Sequence, residues 1–190
     1  TKGTTYYIAA REYGGDAIEG KVTLYVNLIG NQPPAGVTGN GTEAEPFILK
    51  TADHLAWFRD YVNVGKTSAC AKIADDVEEI DMSTVCHKAD AEKQVAELSW
   101  TPIGSKQYQG TFDGNGKTIR NLFISSTSNE IGFFGYAADC RIKNITFDNA
   151  KVKGNDNCST GILAGCAGSC VIENIKTTES CSVEGKEETG

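Results

Sequence analysis

Three carboxylates in the second half of the chain, Asp113, Asp139 and Asp148, are the residues with which this sequence could do acid–base chemistry. Glycoside cleavage needs two carboxyl groups held a fixed distance apart. Asp113-Gly114-Asn115-Gly116 also echoes half of a calcium loop, but the further acidic ligands of such a loop do not follow. The same four residues are good turn chemistry, since Gly and Asn tolerate the positive φ of a tight turn. The turn reading is preferred for Asp113, and Asp139 falls in a loop. Cys86-His87 puts a nucleophile type beside a base type, but sequence neighbours usually point apart and the pair needs proximity in space. There is no His-Glu-x-x-His and no Gly-x-Ser-x-Gly. No catalytic residue and no metal site is therefore assigned, no cofactor is implied, and the residues of any binding site are left unassigned.

The seven cysteines are Cys70, Cys86, Cys140, Cys158, Cys166, Cys170 and Cys181. An odd number in a secreted chain leaves one thiol free or paired elsewhere. Their spacing does not read as zinc binding. Cys166-x-x-x-Cys170 has no second pair, and neither His54 nor His87 lies near it. Disulfides, or buried thiols packing as small apolar groups, are preferred. Cys140 and Cys170 occupy equivalent places in a repeat described below and are expected to stack, bonded or not. Cys70 and Cys86 are expected as a separate pair.

The composition excludes some partners. A net charge of -7 and a pI near 4.9 give no basic footprint for nucleic acid or an anionic membrane surface. No apolar run approaches the ~20 residues that span a bilayer, so no membrane insertion is expected of this segment. Gly, Thr, Val and Ile are plentiful and helix signals few, which points to an all-β class. No signal peptide is visible, and a start at Thr1 suggests a processed or recombinant fragment.

Elements that would position these side chains follow from the patterning. Residues 1–30 read as two strands, the second alternating Val22, Leu24, Val26 and Leu28 with polar neighbours. They are expected to be the last strands of an immunoglobulin-like β-sandwich domain. Residues 31–38, with Pro33-Pro34, read as a linker. Residues 39–190 are expected to form a second domain, incomplete at its C-terminal end. Thr51 is a good N-cap for a helix carrying Leu55, Phe58 and Val62 on one face, with Gly65 a plausible stop. Residues 84–97 are polar and read as an exposed excursion, helical after Asp90, with a Cys70–Cys86 bridge as its staple.

The clearest pattern is a repeated strand. Ile119-x-Asn121-Leu122 is echoed by Ile142-x-Asn144-Ile145 and by Ile172-x-Asn174-Ile175. Gly132-Phe-Phe-Gly135 and Gly161-Ile-Leu-Ala-Gly165 precede the last two copies. Repeats at such intervals mark solenoids, in which equivalent positions stack on neighbouring coils. Ile119, Ile142 and Ile172 are expected in one interior column, and Leu122, Ile145 and Ile175 in a second. Asn121, Asn144 and Asn174 are expected to form one stacked amide ladder.

On these residues, over about 39–185, the chain resembles bacterial cell-surface proteins carrying the GLUG repeat. The carriers are Gly161-Ile-Leu-Ala-Gly165, Pro46-Phe-Ile-Leu-Lys-Thr-Ala-Asp-His-Leu55, Ile80-Asp-Met-Ser83, Trp100-Thr-Pro-Ile-Gly104 and Thr111-Phe-Asp-Gly-Asn-Gly-Lys-Thr-Ile-Arg-Asn-Leu122. The resemblance implies a right-handed parallel β-helix like that of pectin lyases and filamentous adhesins, capped at its N-terminal end by the helix after Thr51. It also implies a non-catalytic segment of a secreted or cell-surface bacterial protein, serving adhesion, display, or host glycan or host-protein binding. The alternatives it carries are a carbohydrate-active β-helix enzyme and an accessory domain of a surface protease.

Overall fold

The computed structural model describes residues 32–155 and 158–185. The expected sandwich strands at 1–30 lie outside the described residues.

The fold is mostly β, built of short parallel strands with one α-helix. The strands in chain order are β1 (Phe47–Leu49), β2 (Ala71–Ile73), β3 (Glu79–Asp81), β4 (Thr111–Arg120), β5 (Phe123–Ser125), β6 (Glu130–Ile131) and β7 (Phe134–Ala138). They continue as β8 (Arg141–Asp148), β9 (Lys151–Lys153), β10 (Ser159–Thr160), β11 (Ala164–Gly168), β12 (Val171–Thr177) and β13 (Ser182–Glu184). The long sheet runs β1-β2-β4-β8-β12, with β3 also paired to β4. A three-stranded sheet runs β5-β9-β13, and β6-β10 and β7-β11 make two-stranded sheets. Every one of these pairings is parallel. Thr111, Arg141 and Val171 stack in one column, and so do Phe123, Lys151 and Ser182. The chain thus returns to the same sheet after about one repeat length each time.

Period-2 alternation sends one set of side chains to a shared interior. Phe112 and Ile142 pair there, as do Ile119 and Phe147, and Ile124 and Val152, all nearly or fully buried. Phe133, Phe134, Trp100 and Tyr108 fill the space between sheets, with Trp100 stacked on Phe133 at 5.6 Å. Ile172 continues the column of Ile142 but is 42 % exposed, because it lies on the last rung.

The helix α1 (Ala52–Asn63) forms where expected. The Thr51 hydroxyl accepts from the His54 N–H at 3.2 Å, and Asp53 sits in the first turn. Leu55, Phe58 and Val62 are fully buried, with the Phe58 ring against Tyr108 and Phe112. Trp57 and Tyr61 pack on Phe47 of β1.

The expected single column of Ile119, Ile142 and Ile172 is split. Ile142 and Ile172 stack on Phe112, whereas Ile119 lies between Ile80 and Phe147. The cause is an irregularity in β4. Asp113 pairs with Lys143 but Lys117 pairs with Ile145, so β4 carries two more residues in that interval. Those residues belong to Gly114-Asn115-Gly116, where Asn115 and Gly116 have φ of 55° and 73°. A Cβ on Gly114 would run into the Asn144 carbonyl, so the close approach requires glycine. The second expected column divides in the same way. Ile145 pairs with Lys117 and Ile175, while Leu122 has passed the corner and its carbonyl accepts from the Lys151 N–H.

The asparagines follow suit. Asn174 donates to the Asn144 amide oxygen at 2.9 Å, and Asn144 donates to Asp113 at 3.0 Å. Asn121 belongs to a different ladder. It donates to Asp81 at 2.9 Å and accepts from Asn149 at 2.8 Å. Asn121, Asn144, Asn149 and Asn174 all have positive φ, between 49° and 59°, which Asn tolerates better than most residues. Each ladder therefore marks a different turn of the chain, so the three asparagines do not form the one ladder expected.

Candidate binding groove

The outer face of the β5-β9-β13 sheet carries a surface hollow with a volume of about 480 Å³. Ile124 and Val152 point inward, so alternation turns the residues on either side of them outward. Phe123, Lys151 and Ser182 form one outward column, and Ser125, Lys153 and Glu184 the other. Lys88 and Glu97 line the hollow from the 84–98 excursion.

That excursion is an antiparallel hairpin, where a helix after Asp90 was expected. His87 bridges Leu98 and Asp90 bridges Val95. The Asp90 carboxylate accepts from the N–H groups of Glu92 and Lys93 and pairs with the Lys93 ammonium at 2.8 Å. Such short local bonds favour a turn over a helix. The hairpin is held to the body by His87, whose ring nitrogens contact the Ser83 and Ala96 carbonyls at 3.0 and 3.1 Å.

The lysines of this groove are only lightly engaged. Lys88 has no ion-pair or hydrogen-bond partner among the described residues. The Lys151 ammonium donates to the Ser180 carbonyl and has no ion-pair partner among the described residues. Lys153 meets Glu184 at 3.6 Å, with both side chains about two-thirds exposed. A pair so exposed is weak. Three lysines face two glutamates in a chain whose net charge is -7.

A smaller hollow, about 250 Å³, lies on the outer face of the long sheet over Lys72, Asp113, Arg141 and Lys143. Here the charges are matched rung by rung. Asp113 meets Lys143 at 3.3 Å, Arg120 meets Asp148 and Glu79 at 3.2 and 3.6 Å, and Lys72 meets Asp75 at 2.9 Å. Burial pushes the Asp113 carboxyl up, but hydrogen bonds from Asn144, the Asn115 N–H and Lys143 outweigh it and leave the group below the usual carboxylate range. Asp81 is also lowered, chiefly by the Asn121 amide, and Asp148 by the Thr178 and Ser180 hydroxyls.

Of the three candidate acids, Asp113 and Asp148 therefore stand in separate structural bonds. Asp113 and Asp148 lie at opposite ends of the paired stretch of β4 and β8, and Asp139 sits at a corner with φ of 53°. Cys86 and His87 do point apart. The Cys86 thiol is buried under β5, accepts from the Phe123 N–H at 3.3 Å, and burial pushes it up to about 11. Cys70 instead accepts from the Thr111 N–H at 3.4 Å. The expected Cys70–Cys86 pair is not brought together, because each thiol caps a strand start at a different corner. Cys140 and Cys170 are brought together, stacked with their sulfurs 2.7 Å apart. Among the described residues no three His, Cys, Asp or Glu side chains gather as metal ligands, and no helix is long and apolar enough to cross a membrane.

No family profile and no solved structure matches the chain. Two relatives do. A protein described as a Gly-rich membrane protein of Evansella cellulosilytica is 30% identical over 122 residues, covering 61% of this chain and 13% of the relative. Halomucin of Haloquadratum walsbyi is 32% identical over 157 residues, covering 77% of this chain and 2% of the relative. The chain thus spans only a small part of the length of either.

Lys88, Lys151 and Lys153 are the residues that sequence reasoning passed over. Lys151-Val152-Lys153 carries a short alternating signal, with one apolar residue between two cations. The hairpin that brings Lys88 to the same place has no such signal.

Proposed function

We propose that this chain is a non-catalytic binding segment of a secreted or cell-surface protein, acting in adhesion or display and carried on a right-handed parallel β-helix. The in-register parallel rungs support the β-helix, as does the helix α1 packed over Phe112 and Tyr108 at the N-terminal side of the stack. The GLUG-type motifs support a bacterial surface protein of that repeat class. A relative described as a membrane protein and another named halomucin are in keeping with a surface setting. In an oxidising exterior, the stacked Cys140 and Cys170 would join neighbouring coils as a disulfide.

One observation carries the binding reading: the outer face of β5-β9-β13 presents a groove with unmatched charge, walled by a hairpin. Loops set on a rigid scaffold are where recognition concentrates. Host or environmental glycans and host surface proteins are the partner classes. The test is to incubate the purified segment with an array of neutral and acidic glycans and with immunoglobulin, followed by product analysis. Retention of intact ligand is expected. Turnover that disappears on changing Asp113, Asp139 or Asp148 to Ala would replace this reading with an enzymatic one.

A further inference from the structure

We propose that the groove on β5-β9-β13 takes an acidic polysaccharide, with its carboxylates on Lys88, Lys151 and Lys153 and its hydroxyls on Ser125, Ser182 and Glu97. This rests on the binding reading above and adds the ligand class. The lysines come from two elements, two from β9 and one from the hairpin, and converge on one hollow of about 480 Å³. Lys151 and Lys153 are two residues apart on one strand, so they emerge on the same face about 7 Å from each other. That spacing suits repeated anionic groups along an extended chain. Each ammonium is solvated and lightly engaged, so a ligand carboxylate gains a charge-assisted hydrogen bond without first breaking a strong one.

The remaining lining argues for a sugar over an acidic peptide. Glu97 and Glu184 stand among the lysines, so a ligand whose side chains are carboxylates alone has no side-chain donor to offer them. A uronate polymer instead offers hydroxyl donors to those carboxylates and to the Ser125 and Ser182 hydroxyls. Phe123 at the floor is almost fully buried, so its ring offers little apolar area to a peptide side chain. A shallow hollow lined by charged and hydroxyl-bearing side chains fits a polyhydroxylated ligand carrying spaced charges.

The experiment is a titration of the folded segment with alginate oligomers, with the same oligomers after carboxyl reduction, and with poly-glutamate. Saturable alginate binding is expected, weakening as salt rises, since exposed ionic contacts are screened within about 10 Å at 0.1 M. Lys151→Ala combined with Lys153→Ala should weaken it by about tenfold or more, and Lys88→Ala by a few-fold. Lys143→Ala, on the matched face, should leave it unchanged. If the carboxyl-reduced oligomers bind equally well, the acidic ligand is wrong while the binding reading survives. Equal or tighter binding of poly-glutamate at the same lysines would replace the polysaccharide with an acidic peptide. If no oligomer binds and no array ligand depends on the groove residues, both readings fall.

Discussion

The two outer faces of this molecule use charge in opposite ways. On the long sheet, cations and anions alternate from rung to rung, so Lys143 sits against Asp113 and Arg120 against Asp148. The carboxylates there are also drawn into the corner ladders through Asn144 and Asn121. On β5-β9-β13 the lysines point outward with little to answer them. Parallel, in-register stacking puts equivalent side chains directly above one another. A repeat that copied one charge along a column would repel itself, and the long sheet avoids this by alternating sign. The short sheet places Lys151 between Phe123 and Ser182, and Lys153 between Ser125 and Glu184, which spares it repulsion without neutralising it. The first arrangement serves the fold, and the second leaves the charge that the proposed ligand would meet.

The largest expected effect concerns the interior that both faces share. Ile142→Ala should cost about 2–5 kcal/mol in urea denaturation, as a fully buried truncation does. Ile172→Ala, in the same column but 42 % exposed, should cost less than half as much. Equal losses would mean that the last rung is covered in solution.

Closure of Cys140 to Cys170 ranks next. Treatment with oxidised glutathione should remove two of the seven thiols by mass spectrometry, releasing two equivalents of reduced glutathione. A bond across a span of 30 residues should stabilise by roughly 2–4 kcal/mol. Burial and the Cys170 neighbour push the Cys140 thiol up, so thiolate is scarce near neutrality and closure should quicken as pH rises. Mapping that links Cys140 to Cys70 or Cys86 would contradict the stacked rungs.

Breaking the matched face gives a smaller effect. Asp113→Ala strands the Asn144 amide and the Asn115 N–H and should cost about 1–3 kcal/mol. Lys153→Ala on the groove face should stay within about 0.5 kcal/mol. Similar costs at the two sites would erase the distinction drawn between them.

The pH dependence is the mildest of these. Asp81, Asp113 and Asp148 have depressed pKa values when folded. The unfolded chain therefore binds more protons in acid, and their stabilisation is present above about pH 4 and lost as pH falls through the folded values. The melting temperature should drop on acidification below that point, and less steeply in Asp113→Asn than in the parent.

Much of this frame is legible in the sequence. Thr51 with Leu55, Phe58 and Val62 announces α1, and the equal placement of Cys140 and Cys170 announces the register of the last coils. The Ile-x-Asn motif misleads because two different turns of the chain need a residue at positive φ, and both use Asn after a buried Ile. Only the Gly114-Asn115-Gly116 interruption tells the turns apart, and its consequence is a register shift that appears once the strands are paired. The groove is less legible still. Its lysines matter because a hairpin of distant residues closes over one sheet, and no local periodicity reports that approach.

Hydrogen exchange with and without bound alginate oligomer tests the contrast between the faces most directly. The account predicts new protection over residues 86–98, 122–126, 150–154 and 181–184, with exchange unchanged over 111–120 and 141–148. Protection centred on the long sheet, or spread evenly over both faces, would contradict it.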